Sequence, residues 1–205
     1  MIDSLVTFVI GTAGGNAALG IVLFTIAVRV LLLPLGVKQA KAAQLRERLA
    51  PKLKELQKRH SRNPERLNKE MTALYAKEGS SPLAGIWPSL AQAPFLWVVY
   101  QVATHPTALA GHTLFGAPLG HQVAALVANY GLISWPFLVF AVVIFLIALV
   151  AWLTARKIDG PAWIRALPFA TALFALVMPL AAGLYLLVST AWTAGERAVL
   201  ATRPL

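Results

Sequence analysis

Long apolar runs separated by polar segments dominate this chain and predict its architecture. Residues 17–37 are apolar apart from Thr25 and Arg29, and residues 131–154 form the cleanest apolar run. Each run is long enough to cross the hydrocarbon core of a bilayer as a helix, which takes about 20 residues. We therefore predict transmembrane helix 1 at residues 17–37 and transmembrane helix 3 at residues 131–154.

A third apolar run, residues 83–103, is interrupted by proline. Pro88 and Pro94 lie inside it, together with the polar residues Ser89 and Gln92. Prolines at membrane depth produce kinks, which are tolerated where neighbouring helices or cavity water satisfy the freed carbonyls. We predict a kinked transmembrane helix 2 over this run.

The last apolar run, residues 166–194, is long enough for one tilted span or for two short ones. Pro179 lies in its middle, where proline removes a helical hydrogen bond and disfavours helical geometry at the preceding residue. We therefore predict transmembrane helices 4 and 5 at residues 166–178 and 180–195, joined by a tight turn on the outer side.

Residues 38–82, between the first two spans, have the opposite character. Four leucines recur at helical spacing among charged residues, which is typical of an amphipathic helix: Leu45, Leu49, Leu53 and Leu56. Pro51 interrupts this stretch, so either a second helix begins there or one helix is kinked there. Asn63 and Pro64 then predict the start of a further helix, as N-cap and first helical residue. Together these features predict a two-helix hairpin outside the membrane.

The distribution of Lys and Arg predicts the orientation. These residues occur in the 38–82 hairpin, a 155–165 loop and a 196–205 tail, whereas the 1–16 segment and the 104–130 loop contain none. Positive connections stay in the cytoplasm, so we predict that the hairpin is cytoplasmic, the N-terminus outside and the C-terminus inside. The predicted fold class is an all-α polytopic membrane protein with five transmembrane helices, preceded by an outer interfacial segment.

Composition agrees with a membrane protein and excludes several kinds of chemistry. The 205-residue chain is 58% hydrophobic and 13% charged, whereas a soluble domain is about 25% charged. It contains no cysteine, which excludes disulfides, cysteine–zinc sites and thiol nucleophiles. The predicted spans contain no carboxylate, so general acid–base catalysis lacks its residues. We expect no enzyme activity, no metal site and no cofactor.

The predicted hairpin carries most of the positive charge. Residues 38–78 hold 12 of the 18 Lys and Arg and 5 of the 8 Asp and Glu. This excess either fixes the orientation and contacts anionic lipid head groups, at about 1 kcal/mol for each basic residue, or forms a docking surface for a nascent chain, a ribosome or signal-recognition components. The candidate docking residues are Arg46, Arg48, Lys52, Lys54, Lys58 and Arg59.

Arg29 is the one charged residue inside a predicted span. An arginine there costs several kcal/mol unless it reaches water or a partner. It lies nine residues before Lys38, about 13 Å along a helix, so its side chain could snorkel to the head groups. A hydrated cavity open to the cytoplasm also explains why no acidic residue in the predicted spans pairs with it. The candidate polar residues of such a groove, besides Arg29, are Thr25, Ser89, Gln92, Ser189 and Thr190, although Ser and Thr also bond back to their own helices.

Two stretches carry a family resemblance. Residues 25–29 read TIAVR and are followed by Leu33, Pro34 and Leu35. Residues 81–94 read SPLAGIWPSLAQAP, which is similar to the pattern NPLGGCxPxLxQxP. Together the two stretches resemble the YidC family of membrane insertases, in the Oxa-type superfamily, in its short form without a large periplasmic domain.

This resemblance implies a five-helix core in the bacterial cytoplasmic membrane, with a hydrophilic groove whose conserved arginine is Arg29. It implies insertion and folding of nascent membrane proteins without ATP, alone or beside the Sec translocon, and no direct nucleic-acid function. From the residues alone, a small anion transporter or channel using Arg29 is the rival. Such a transporter predicts internal repeats with paired broken helices, and the sequence contains no such repeat.

Overall fold

The computed structural model describes residues 13–81, 111–158 and 162–201, together with Thr7, Ile10, Gly11 and Leu109. The chain divides into two compact units. Unit 1 comprises Met1–Leu31 and Phe95–Ala198, and unit 2 comprises Leu32–Pro94 and Val199–Leu205. The predicted transmembrane helix 2, with Ser89 and Gln92, lies outside the described residues.

The described part of unit 1 is helical apart from one small β-hairpin. Helices are numbered along the whole chain, and α2 (Leu33–Arg59) and α3 (Pro64–Lys77) belong to unit 2. The elements of unit 1 are α1 (Ala17–Leu31), β1 (Thr113–Leu114), β2 (Ala117–Pro118), α4 (Val123–Tyr130), α5 (Trp135–Ala155), α6 (Ala162–Ala166), α7 (Phe169–Val177) and most of α8 (Leu180–Ala201). The two strands pair antiparallel, with Thr113 opposite Pro118 and Leu114 opposite Ala117.

Helix α5 shows how an almost entirely apolar sequence becomes a span with one packed face. The Ser134 side chain caps its N-terminus by accepting from the Phe137 N–H at 3.4 Å, and a proline occupies the first turn, where its missing N–H costs nothing. A stripe at three- and four-residue spacing is buried: Val139, Phe140, Val143, Ile147, Ala151 and Ala155. The other faces expose large apolar side chains, including Leu138, Val142, Phe145, Leu149 and Leu153. Apolar faces of this kind are typical of helices that contact lipid or another protein.

Among the described residues, α5 is the one helix long and apolar enough to cross a membrane by itself. Helices α1 and α2 meet the same criterion together, as a pair broken at Leu32. The helix predicted over 17–37 is therefore divided, because Pro34 in the first turn of α2 lacks the N–H needed to continue the preceding helix.

The chain also leaves helical geometry at Met178, where the sequence predicts a turn before Pro179. The first backbone donors of α8 are satisfied from outside the helix, since the N–H groups of Leu180 and Ala181 donate to the carbonyls of His121 and Leu119 at 3.0 and 2.9 Å. These bonds supply partners for N–H groups that a helix start leaves unpaired.

Three predicted boundaries differ from the structure. Helix α8 runs to Ala201 rather than residue 195, because its polar C-terminal residues continue the helical hydrogen bonding. Helix α7 begins at Phe169 rather than residue 166, after the short α6. The predicted 104–130 loop contains the β-hairpin and helix α4, since glycines with positive φ supply its tight turns.

The apolar core of unit 1 gathers residues from the first and last helices and from the segments between them. Gly183 lies beside Val143, and a Cβ added to this glycine would meet Val143 Cγ1 at 3.6 Å, an ordinary van der Waals contact. The most buried members include Ala17, Leu119, Leu126, Phe140, Ile147, Ala175 and Leu180.

Unit 2 is built around a helical hairpin of α2 and α3. Leu49 on α2 and Tyr75 on α3 are its buried residues, exposed by 1% and 5%. The Asn63 side chain accepts from the Arg66 N–H at 3.0 Å and caps α3, which confirms the predicted helix start. Helix α2 continues through Pro51, so no second helix begins there. The helical segments before and after Pro51 keep their own hydrogen bonds, so α2 tolerates the loss of the one hydrogen bond that proline removes.

Candidate functional site

Arg29 and Ser189 meet inside unit 1, although 160 residues separate them in the sequence. The Arg29 Nη2 donates to Ser189 Oγ, which joins α1 to α8. Ser189 is 5% exposed and Arg29 is half-buried. Two of the predicted groove residues are thus in direct contact.

Two other predicted groove residues use their hydroxyl protons within their own helices. Thr25, 2% exposed and one turn before Arg29, donates from Oγ1 to the Ile21 carbonyl at 2.6 Å. Thr190 donates from Oγ1 to the Leu186 carbonyl at 2.7 Å. Such bonds satisfy a hydroxyl in an apolar setting. Thr25 and Thr190 therefore border the Arg29–Ser189 contact and do not donate to it.

The charge of Arg29 is not balanced by a carboxylate in the described part of the chain. Its partner is a neutral hydroxyl, whereas a guanidinium carries five N–H donors in a planar fork. Within the described residues, the guanidinium donors beyond the bond to Ser189 remain for water or an incoming polar group. In surroundings of low dielectric constant, an unbalanced positive charge attracts anions and carbonyl dipoles strongly.

Apolar packing fills one end of the space beside this contact. On α1, the core residues Ala17 and Ala18 precede Thr25 and Arg29. On α8, the core residues end at Leu184 and Ser189 follows. Ser189 lies nine residues into α8, about 13 Å from the end that the loop carbonyls cap. We call the core residues at this end of the two helices the apolar plug: Ala17, Ala18, Leu180, Ala181 and Leu184. The polar contact thus lies part-way along both helices, beyond this plug.

Three further polar residues of α8 continue the face of Ser189, and sequence reasoning missed them. Thr193 Oγ1 donates to the Ser189 carbonyl at 2.9 Å. Trp192 Nε1 and Glu196 Oε1 are buried and have no hydrogen-bond partner in the part of the chain that the structure describes. Glu196 lies in the segment that we assigned to a tail, and α8 continues through it, whereas the predicted spans themselves contain no acidic residue. Trp192, Thr193 and Glu196 follow Ser189 by three, four and seven residues. This helical spacing was the sequence signal that places them on the face of Ser189.

The six predicted docking residues of unit 2 are all exposed. Arg48 pairs with Glu78, and Arg59 lies 3.7 Å from Glu55. Among the described residues, Lys52, Lys54 and Lys58 form no ion pair. Unit 2 therefore presents unbalanced positive charge to its surroundings.

Comparison with known proteins supplies the family. The sequence model of the family described as 60Kd inner membrane protein matches residues 9–204. The chain belongs to this family. This membership confirms the resemblance carried by residues 25–29 and 81–94, and it establishes a helical protein of the inner membrane.

Three relatives illustrate the similarity. The membrane protein insertase MisCA of Bacillus subtilis is 33% identical over 125 residues, covering 59% of this chain and 48% of the relative. The membrane protein insertase YidC of Clostridium perfringens is 38% identical, covering 48% and 41%. The membrane protein insertase YidC of Helicobacter pylori is 39% identical, covering 50% and 18%. The chain thus spans less than half the length of these curated relatives, and none of them is named after a catalysed reaction.

Proposed function

We propose that this protein is a membrane protein insertase that inserts and helps fold newly made membrane proteins through a cationic groove, without ATP. The observation that carries the proposal is the half-buried Arg29, bound to the neutral Ser189 and paired with no carboxylate among the described residues. The names of the relatives support the same function.

The groove acts by exchanging partners at Arg29. A polar or acidic segment of the substrate takes the place of Ser189 at the guanidinium, and a hydrogen bond to a charged group contributes about 1.5–3 kcal/mol. This contribution offsets part of the cost of bringing polar groups to membrane depth. The apolar plug beyond the site stops the polar segment part-way across.

The hydrophobic segment of the substrate then leaves along exposed apolar helices. Phe174 and Val177 on α7 are 54% and 63% exposed, and α5 offers Phe145 at 65%. Lipid and a substrate helix solvate such surfaces equally well, so the segment moves into the bilayer without a large barrier.

The proposed topology has five spans, with the N-terminus outside and the hairpin and C-terminus in the bacterial cytoplasm. The exposed basic residues of unit 2 form the cytoplasmic docking surface. Anionic lipids are its first partner, because Lys52, Lys54 and Lys58 carry no ion pair among the described residues. The Sec translocon, the ribosome and signal-recognition components are further proposed partners.

The test measures insertion of a small single-span substrate into proteoliposomes by protease protection. For Arg29→Ala we expect a loss of about tenfold or more, the equivalent of one charged hydrogen bond. Arg29→Lys keeps the charge but not the planar fork and retains part of the activity. Arg156→Ala is the matched control, since the Arg156 guanidinium stacks over the Trp152 ring of its own helical end at 3.7 Å and is not one of the predicted groove residues.

Normal insertion by both Arg29 variants would reject the groove mechanism. Chloride flux through the same vesicles tests the rival function. An Arg29-dependent flux, with insertion unaffected by the substitutions, would establish an anion pathway in place of an insertase.

A further inference from the structure

The segment before α5 exposes large apolar side chains that no described part of the protein covers. Ile133 is fully exposed, and Leu132 and Trp135 are each 63% exposed. The β-hairpin adds Phe115, 77% exposed at its tip. We call Phe115, Leu132, Ile133 and Trp135 the aromatic collar. Exposure of so much apolar surface at one place marks an interaction site.

The collar is held together as one structure. Trp135 Nε1 donates to the Phe115 carbonyl at 2.7 Å, which ties the hairpin tip to the first turn of α5. The Trp135 ring also lies against Gly116, where an added Cβ would meet its Cδ1 at 3.8 Å. The exposed side chains are therefore presented from a fixed backbone.

Phe115 occupies a backbone conformation that its side chain disfavours. Its φ is 48° and that of Gly116 is 85°, as in the two-residue hairpin turns that favour Asn-Gly. A bulky residue there costs roughly 1–2 kcal/mol. Glycine would relieve that cost, and no packing within the protein compensates for it, because the side chain is exposed.

The position of the collar along α5 identifies what covers it. Arg156 stacks on Trp152 at the C-terminal end of α5, an arrangement suited to a membrane interface. A hydrocarbon core of about 30 Å spans about 20 helical residues, so the opposite interface falls near Leu132 and Ile133. The collar also continues the apolar surface of α5, and the chain contains no Asp, Glu, Lys or Arg from residue 79 to residue 155.

We propose that the aromatic collar inserts into the bilayer leaflet that surrounds the N-terminal end of α5 and anchors the 111–135 segment there. The anchor holds the loop whose Leu119 and His121 carbonyls cap α8. It thereby keeps the apolar plug of unit 1 in place against the lipid. This inference concerns lipid contact and does not depend on the insertase function.

The chain has no cysteine, so single cysteines can be labelled without background. Full-length Ile133→Cys and Ser61→Cys variants, carrying the fluorophore NBD, are reconstituted in phosphatidylcholine–phosphatidylglycerol vesicles. Ser61 is an exposed residue in the turn of unit 2 and serves as the aqueous control. We expect iodide to quench the label at 133 about tenfold less than the label at 61, as burial of a large apolar side chain predicts. Lipids with a spin label near the head group should quench the label at 133.

Two outcomes would overturn the proposal. Equal iodide quenching at 133 and 61 would place the collar in water. Protection from iodide without quenching by spin-labelled lipid would show that protein, such as a second copy of the chain, covers the collar. A Phe115→Gly substitution in the Ile133→Cys background relieves the backbone cost and keeps the turn, and we expect it to raise iodide access at 133. An unchanged access would remove Phe115 from the anchor.

Discussion

Arginine side chains have opposite environments in the two units. In unit 2, Arg48, Arg59 and Arg66 each lie within ion-pair distance of a glutamate, and all three are largely exposed. In unit 1, Arg29 is half-buried and its partner is a serine. Exposed ion pairs contribute about 0–1 kcal/mol, because water solvates both charges well. Arg29 has no ion pair among the described residues, so a stabilising ion pair does not explain its position, and this agrees with the proposed attraction of a polar substrate.

Apolar side chains follow the same division. Unit 2 turns Leu49 and Tyr75 inward and its charged residues outward, as a structure in water does. Unit 1 exposes leucine and phenylalanine along α5 and keeps Thr25 and Ser189 inside. The hydrophobic effect organises the first arrangement, and a lipid surrounding organises the second. Measurements of insertion activity test this contrast first, and measurements of hairpin stability follow from the largest expected effect to the smallest.

An anion placed beside Arg29 should strongly weaken the attraction of a polar substrate that we propose for its guanidinium. In Ser189→Asp the new carboxylate lies where the hydroxyl now accepts from Arg29, and it neutralises the guanidinium before a substrate arrives. We expect insertion to fall by about tenfold or more, the equivalent of one charged hydrogen bond, while the purified protein keeps its melting temperature.

The matched control for this prediction is Ser189→Asn, which offers an acceptor without charge and should retain most of the insertion activity. An aspartate variant that inserts substrate as well as the unmodified protein would show that the uncompensated charge of Arg29 is unimportant.

The sequence predicted local features of the helices well, but it did not identify the single residue that contacts Arg29 in the described part of the chain. The Asn63 cap and the helix break before Pro179 depend on local backbone chemistry, which the sequence states directly. Which of several polar residues meets Arg29 depends on the packing of α1 against α8, a contact across 160 residues. Five lining candidates were therefore proposed, and one of them contacts Arg29 in the described residues.

Two further differences from the sequence-based predictions have their own physical causes. Glu196 and the last turns of α8 were assigned to a tail because the apolar run ends near residue 195. A helix continues past the end of an apolar run when its backbone hydrogen bonds remain satisfied, and hydropathy does not report this. The β-hairpin at 113–118 was missed because its strands have two residues each, too few for an alternating pattern.

Truncating the buried Leu49 side chain should destabilise the unit 2 hairpin without affecting unit 1. Leu49 is 1% exposed, and Leu→Ala substitutions at such positions cost about 2–5 kcal/mol. For Leu49→Ala we expect amide hydrogen exchange in α3 to accelerate accordingly, with exchange in α5 unchanged. Leu53→Ala, at a half-exposed position of the same helix, is the control and should have a smaller effect. Equal effects of the two variants would show that Leu49 does not carry the packing.

The Asn63 cap tests a smaller contribution to the same hairpin. Asn63→Ala removes the acceptor for the Arg66 N–H and should destabilise the first turn of α3 by about 1 kcal/mol. Hydrogen exchange of the amides at residues 65–67 measures the change. Asn68→Ala in the same helix is the control, since alanine has the higher helix propensity and should leave α3 equally or more stable. Similar losses in the two variants would argue against a capping role.

The smallest effect should come from the exposed ion pair between Arg59 and Glu55. The two side chains are 67% and 73% exposed and 3.7 Å apart, so water and salt screen most of their attraction. We expect Glu55→Gln to change the stability of the hairpin by less than about 0.5 kcal/mol, and 1 M salt to erase the difference from the unmodified protein. Hydrogen exchange at low and high salt makes this measurement. A loss of hairpin stability above about 1 kcal/mol would mean that the charges of unit 2 are as poorly solvated as Arg29. The proposed difference between the two units would then be wrong.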